Sequence, residues 1–502
     1  MKNILSVLLV IPMMLLWSCS DDSTEIEPVV EGTEITEFSF LQSSNPKMNW
    51  DQFTEIENEI ISGRLPLEAD IENMVASFKH KGSEVLINNK VQISGQTAND
   101  FTEIQNYRVT TSAGNSGQYE VDMTYFTGLP VIYLETENNQ EIDSKEDYFT
   151  GTLSMEGGRY YSDSPATSMK IRGRGNSTWG VHPKKPYQLK FNDKTEMLGM
   201  PQDKKWIFLA EFSDKSLLRN KIAFELGYLS QLDYTPQSVF AEVVVNGTYN
   251  GTYNISQKVE ESDNRVQLGD TGYLLEIDQL ERLDADDVYF RTDAFLINIK
   301  EPDTEYNSNE FIYVSDLVNE FETVLMGSQF TDPNQGYAKY IDIDSFIDWY
   351  LINEITKNQD SRNFSSIFLN VIPGEKIKMG PLWDFDLAFG NVDYSECEYP
   401  TGFWVKDHAW FDRLFQDAAF LEKVKSRFLY FKDNQRFILE KIDFYAAQLR
   451  WAQYENDQKW DLFGRYVWPN PVVFDTHQAE VDHLKNWYIE RMNWLDTAYK
   501  EL

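Results

Sequence analysis

The stretch MGPLWDFDLAFGN, residues 379–391, sets two acids, Asp384 and Asp386, among Trp383, Phe385 and Phe389. Acids between large apolar neighbours are rarely placed for solubility, because burying a carboxylate is costly unless a cation or hydrogen-bond donors compensate. Mg²⁺ is a natural partner for hard oxygen ligands of this kind. A turn cap, or an ion pair with Arg362, would satisfy the same residues. Just upstream lies KNQDSRNFS, residues 357–365, which carries a further acid, Asp360.

Working outward, the segment before Asp360 has helical spacing. Ile343, Phe346, Ile347, Tyr350, Leu351 and Ile355 recur at threes and fours, and Asp342 or Asp344 is placed to cap the start. Trp410, Phe411, Leu414 and Phe415 open another helix, and Val481, Leu484, Tyr488, Met492 and Leu495 form a late one. Before about residue 335 the pattern is extended. PVIYLET runs into an Asn138-Asn139 turn with TGTLSMEGG as its neighbour, and GYLLEID (272–278) supplies one more strand. SVFAEVVVNGTYNGTYNISQKV carries Asn246-Gly247 between two extended arms, a strong hairpin signal. Strands ahead of helices predict an α+β unit with a β-rich front lobe and a helical rear lobe.

A second constellation sits in the front lobe. The loop RGRGNSTWG, residues 172–180, precedes KKPYQLKF, residues 184–191. Glycines let backbone amides converge on a phosphate, and Arg172 and Arg174 add forked donors. In a strand, Tyr187, Leu189 and Phe191 face one side, Gln188 and Lys190 the other. A lysine on a strand just past a glycine loop is what kinases use for nucleotide phosphates. An arginine-rich hairpin that merely neutralises an acidic protein fits this stretch as well.

The ends and the composition bound the rest. Lys2 and the apolar run Ile4–Trp17 form an export signal too short to span a bilayer comfortably. Its end, Leu16-Trp17-Ser18-Cys19, resembles a lipobox, so residues 1–18 are expected to be removed and Cys19 lipidated. Residues 19–33 form an acidic tether, and their acids resemble the export signals of surface lipoproteins in the Bacteroides group. Residues 34–125 show short strands and polar turns that suit a small β-sandwich. The segment INNKVQISGQTANDFTEIQNYRV within them resembles the immunoglobulin-like modules of secreted Bacteroidetes proteins. The 502 residues carry 45 Lys+Arg against 81 Asp+Glu, a net charge of -36, which repels nucleic acid over most of the surface. Two cysteines exclude a disulfide scaffold, and 14% aromatic residues exclude general disorder. No later stretch is apolar enough to span a membrane. The five histidines never reach zinc-ligand spacing, and His477 and His483 read as surface residues. The aromatic helices beyond Trp404 read as packed core rather than a carbohydrate groove.

Taken together, RGRGNSTW, KKPYQLKF, DKSLLRNKIAFEL, NGTYNGTY, GYLLEID, KNQDSRNFS and GPLWDFDLAFGN resemble, in order, the CotH kinase family, relatives of the spore-coat protein H. The resemblance assigns residues 128–502 to an atypical protein-kinase-like two-lobe domain that transfers phosphate from ATP, with Mg²⁺ or Mn²⁺, to Ser or Thr of exported proteins. It implies that Lys190 holds the nucleotide phosphates and that Arg174, Asn176 and Ser177 form the covering loop. Asp360 becomes the catalytic aspartate, Asp384 and Asp386 the metal ligands with Asn363 the nearest amide, and Glu276 a residue near the adenine. The Arg219-Asn220 pair belongs to a recurrent block, with no role that the residues themselves reveal. Two departures stand out: Ser365 occupies the place of the second metal-binding asparagine, and Asp384-Phe385-Asp386 replaces Asp-Phe-Gly. These departures, and the scarcity of ATP outside the cytoplasm, keep a second expectation open. It is a catalytically inactive, lipid-anchored surface protein that binds protein or glycan. Location is expected at the outer membrane or cell surface, though the composition suits the periplasmic side equally.

Overall fold

The computed structural model describes residues 31–502, so the expected signal peptide and Cys19 lie outside the described residues. The chain divides into two compact units, one ending in Asp122 and interrupted by Arg64–Ile71, the other comprising that insertion and Met123–Leu502. The protein is a mixed α+β chain.

The first unit is built from short antiparallel strands. Ile35–Phe40 pairs with Gln52–Phe53 on one side and Ser77–His80 on the other. A larger sheet holds Glu84–Ile87, Gln105–Thr110 and Ser116–Tyr125 in sequence-neighbour order. Asn88 and Asn89 both adopt positive φ, which permits the two-residue turn into Lys90–Val91. The core is aromatic. Phe40 meets Phe101 edge-on with centroids 5.0 Å apart, and Phe38 meets Tyr107 at 5.2 Å.

In the second unit seven strands close a barrel: Val131–Thr136, Phe149–Glu156, Ser164–Gly173, Tyr187–Met197, Met200–Leu209, Thr248–Gln257 and Ser238–Val245. Neighbours pair antiparallel except at the closure, where Val131–Thr136 runs parallel to Ser238–Val245. Alternation fills the interior with Leu153, Ile171, Leu189, Phe191, Trp206, Phe208, Val243 and Ile255. The Asn246-Gly247 hairpin forms as its sequence predicts, with both residues at positive φ.

A five-stranded antiparallel sheet follows, in the order Val288–Arg291, Leu296–Glu301, Tyr273–Asp278, Ile367–Val371, Lys378–Met379. Helices cover it. Ile343–Thr356 is capped by Asp342, whose side chain accepts from the Ser345 amide at 2.8 Å. It packs with Ala409–Leu414, Ala418–Asp433 and the closing helix His477–Glu501 around Trp349, Tyr350, Phe411, Leu484 and Tyr488.

Among the described residues three helices arise earlier than the periodicity predicts, the first being the short Ser177–Val181. Asn309–Met326 does carry an apolar stripe, with Val314, Val318, Phe321 and Leu325 buried. Arg219–Tyr228 shows no stripe because it is enclosed: Arg219, Asn220, Lys221 and Glu225 are buried along with Ile222 and Phe224. An enclosed helix with polar residues facing protein gives no amphipathic signal.

Candidate functional site

The strand Ser164–Gly173 ends in the glycine loop. Gly175 lies at φ +81, and a side chain on Gly173 would collide with the Trp179 ring, so both glycines are demanded by geometry. The Arg174 amide donates to the Pro186 carbonyl at 3.2 Å. Its guanidinium lies 5.3 Å from the centre of the Trp383 ring. There it faces Asp384, Asp386 and Glu276; burial draws protons away from it, and those acids oppose that pull.

The acids come from three separate elements. Asp360 opens a short turn after the helix Ile343–Thr356 and is 9% exposed. Burial pushes its pKa up to about 7, with Asp384 adding repulsion and Arg282, 3.9 Å away, pulling the other way. Arg282 also donates to the Ser365 hydroxyl, which is buried. Asp384 has φ 64, a left-handed conformation unusual for a residue with a side chain. Its carbonyl accepts from Asn358 Nδ2 at 3.1 Å, and its carboxylate accepts from the Ser366 hydroxyl at 3.5 Å. Asp386 is held well above the usual carboxylate range by burial and then by Asp384, with Glu211, Asp360 and Asp214 adding to it. Glu276, on the strand Tyr273–Asp278, is pushed up to about 7 by burial and then by Asp278.

Of the residues expected at the site, the fold therefore brings together Arg174, Glu276, Asp360, Asp384 and Asp386. Lys190, Asn176, Ser177 and Asn363 are solvent-exposed. Lys190 is exposed, and its cross-strand partners are Lys170 and Lys205. No ion pair joins it to an acid among the described residues. Strand alternation explains this: Leu189 and Phe191 fill the barrel, so Lys190 must point out. Arg174 is the cation that faces Asp384 and Asp386, and Arg282 stands beside Asp360. Asn176 and Ser177 are exposed too, and Asn176 Oδ1 accepts from Lys145 at 3.4 Å. Asn363 is exposed, while the hydroxyl beside Asp384 belongs to Ser366. Arg362, which the sequence offers as a partner for Asp384 and Asp386, instead stands 3.7 Å from Asp407 and lies over Trp404. Among the described residues no three His, Cys, Asp or Glu side chains are grouped to hold a metal ion by themselves.

Behind the acids lies a set of buried polar residues that the sequence did not assign. Asp214 forms an ion pair with Arg219, and both are buried. Arg219 Nε donates to the Ala388 carbonyl at 3.2 Å. Asn220 Oδ1 accepts from the Phe385 amide at 2.8 Å, and its Nδ2 donates to both oxygens of Glu211 at 3.1 and 3.2 Å. Glu211, further fixed by Asn254 Nδ2 at 3.2 Å, is pushed up to about 8 by burial and then by Asp214. Asn391 Nδ2 donates to the Asp386 carbonyl at 2.8 Å. His477 also belongs to this interior. It is buried, with Nε2 2.9 Å from the Ser216 carbonyl, contrary to the surface position expected from its helix. The turn Asp214–Leu217 that it meets is remote in sequence, so nothing local could reveal the burial.

Residues 171–495 match the family described as CotH kinase protein, and the chain belongs to that family. No curated protein matches the chain. Among solved structures, a putative glycoside hydrolase from Bacteroides thetaiotaomicron is similar at 14% identity, covering 56% of this chain and 86% of that one. Its TM-score of 0.15 is too low for any inference about fold or activity.

Proposed function

We propose that residues 128–502 form a two-lobed, kinase-like phosphotransferase that moves the γ-phosphate of ATP to a Ser or Thr hydroxyl of an exported protein. The observation that carries the reading is the approach of Asp360, from the turn after the helix Ile343–Thr356, to the turn that carries Asp384 and Asp386, with Arg174 of the glycine loop facing those two acids. Membership of the CotH kinase family supports it.

In this reading Asp360 orients the acceptor hydroxyl and takes its proton. Its raised proton affinity, near neutral pH, suits a general base. Arg174 takes the role first given to Lys190 and spreads its forked donors over phosphate oxygens. Ser366 and Asn358 hold Asp384, and Arg282 restrains Asp360. Phosphoryl transfer depends chiefly on alignment and charge stabilisation, which is what these residues supply.

The donor set fits a hard cation. Asp384 and Asp386 are carboxylates crowded together, with Arg174 as the cation that faces them. Mg²⁺ typically uses one or two carboxylates and completes its shell with water and phosphate oxygens. Two ligands without a third therefore suit Mg²⁺ or Mn²⁺ arriving with a nucleotide better than a permanent protein cage. The ion would neutralise phosphate charge there.

The test is calorimetric titration of the chain from residue 20 onward with ATP and Mg²⁺ or Mn²⁺. Asp384→Asn is expected to abolish metal-dependent nucleotide binding. Asp360→Ala is expected to keep binding and lose transfer. Arg174→Ala should weaken nucleotide affinity at least tenfold, and Lys190→Ala by less than twofold. Wild-type protein that gives no heat with either metal removes the reading.

The exposed Lys190 and Asn363 favour one alternative, a surface protein whose kinase-like domain is inactive and which binds protein or glycan. The anchor belongs to either reading. We propose lipidation of Cys19, an outer-membrane or cell-surface location, and an immunoglobulin-like spacer over residues 34–125. Among the described residues no helix is long and apolar enough to cross a membrane. Mass measurement of the mature N-terminus tests the anchor; an unmodified chain starting elsewhere than Cys19 refutes it.

A further inference from the structure

We propose that Asn220 is a positioning residue that sets the backbone of Asp384-Phe385-Asp386, and that Glu211 fixes Asn220 in the orientation this requires. The inference rests on the phosphotransferase reading only for its consequence at the metal site; its structural half stands alone.

Asp384 sits at φ 64 without being glycine. A residue with a side chain stays in that region only where its surroundings over-determine it. Around this turn they do. Asn358 holds the carbonyl of Asp384, Asn220 the amide of Phe385, Asn391 the carbonyl of Asp386, and Arg219 the carbonyl of Ala388. Side chains thus restrain four backbone groups within five residues.

Asn220 differs from the other three. Its side-chain oxygen meets an amide donor, so its nitrogen must point the other way, and there both oxygens of Glu211 receive it. Nothing in an asparagine alone favours one flip over the other; the partner decides it. With Glu211 as acceptor, Asn220 presents oxygen to Phe385. With a donor at that place it would present nitrogen, and two donors would face each other. Asn254 approaches Glu211 Oε1, which keeps the carboxyl in place as the end of a chain of bonds. That chain runs from the barrel strand Thr248–Gln257 through Glu211 and Asn220 to the acidic turn.

Arg219 makes the neighbouring contact and is locked by Asp214, so consecutive residues of one helix grip the turn at Phe385 and Ala388. This supplies a physical role for the RN of the LLRNKIAFEL block. It also bears on the Asp-Phe-Asp variation. Where the third residue is an acid, the orientation of its carboxylate depends on a backbone that is held from outside.

The experiment uses the chain from residue 20 onward and three variants: Asn220→Ala, Asn220→Asp, and the exchange Asn220→Asp/Glu211→Gln. All variants are compared at pH 9, above the value near 8 to which burial pushes Glu211, so that Asn220→Asp sets two carboxylates face to face. In the exchange, the amide nitrogen introduced at position 211 donates to the carboxylate introduced at position 220. The other oxygen of that carboxylate accepts from the Phe385 amide, and the amide oxygen at position 211 still accepts from Asn254. Hydrogen exchange of a peptide spanning 384–388 is read without ligand, and Mn²⁺ affinity in the presence of ATP by electron paramagnetic resonance. Both single variants should speed exchange in that peptide at least tenfold and weaken Mn²⁺ affinity ten- to a hundredfold, the range typical for supports of metal ligands. The exchange variant should return both readings to within threefold of wild type. Unchanged exchange in both single variants, or failure of the double variant to recover it, overturns the proposal. Faster exchange with Mn²⁺ affinity unchanged overturns its metal-site half. Wild-type protein that binds no Mn²⁺ with ATP defeats the phosphotransferase reading instead, and the exchange data then decide the positioning role by themselves. Should Asn220→Ala fail to fold, the Asn220→Asp and double-variant pair carries the same decision.

Discussion

Replacing Glu354 with glutamine should cost the second unit several kcal/mol, more than most single substitutions. Glu354 lies in the last turn of the helix that leads into Asp360, and both it and Arg491 are fully buried. One carboxylate oxygen accepts from Arg491 and from the Trp404 amide, and the other accepts from the Lys406 amide at 2.9 Å. Arg491 in turn donates to the carbonyls of Glu354, Pro400 and Gly402. Beside it, Lys357 Nζ donates to the carbonyls of Glu396, Tyr399 and Thr401. Two cations therefore gather the loop at 396–402, and Glu354 is the anion that compensates Arg491. Glutamine removes the charge and turns one acceptor into a donor facing an amide or guanidinium. Breaking a buried pair from one side typically costs about 3–5 kcal/mol, because the remaining charge stays buried and uncompensated. Urea unfolding followed by tryptophan fluorescence would report it as a lower midpoint for the second unit. The double variant Glu354→Leu/Arg491→Met leaves no buried charge from the pair but should recover little of the loss, since the Trp404 and Lys406 amides and the Pro400 and Gly402 carbonyls then lack partners. A loss below about 1 kcal/mol for Glu354→Gln would refute the reasoning, for it would place the pair among weakly contributing exposed ion pairs.

Three smaller predictions follow from single contacts. Asp342→Ala removes the cap from the Ser345 amide and should cost about 1 kcal/mol in the same unfolding assay; no change would mean water replaces the carboxylate. Gly173→Ala would place a Cβ 2.2 Å from the Trp179 ring, so thermal unfolding should begin earlier and near-UV circular dichroism should change as the ring moves. His408 is buried with its pKa drawn down to about 3 by burial. An unfolded histidine titrates near 6.5, so this group's stabilisation is complete above that value and is lost as pH falls from about 6.5 toward 3. Between pH 7 and pH 5 its share is about 2 kcal/mol. His408→Asn keeps an acceptor for the Trp410 amide, and its stability should fall less steeply over that interval; an equal slope would refute the assignment.

The parts of the fold legible in the sequence share one property: each is decided by neighbours in the chain. The Asn246-Gly247 turn needs positive φ at adjacent residues, and the helix Ile343–Thr356 declares itself through a stripe and a cap. Closure of the barrel is different. It depends on Val131–Thr136 lying parallel to Ser238–Val245, more than a hundred residues away, and parallel pairing leaves no turn signature. The strand period did correctly separate Leu189 from Lys190. What it could not give was the direction in which the outer face looks, and so a lysine on the expected strand is exposed while an arginine in the loop meets the acids.

The same distinction separates the two layers of the site. Asp384 and Asp386 are legible because a carboxylate between Trp383 and Phe385 violates ordinary burial rules, and the violation is visible in five residues. Glu211 and Asn220 violate nothing locally. Glu211 follows a strand and Asn220 opens a helix, both ordinary places for a polar residue until the helix proves enclosed. Their burial becomes informative only once the fold sets Asn220 beside Phe385 and Glu211 beyond it. An acid near the reacting groups can thus be read as a local anomaly. The residues that aim it are recognised by a chain of donors and acceptors spanning barrel, helix and turn, and that chain exists only in three dimensions. If the amide and the carboxyl can be exchanged between positions 220 and 211 without loss, the requirement is for the order of donors and acceptors rather than for either residue. A search for such sites in other sequences would then look for paired changes rather than for a fixed motif.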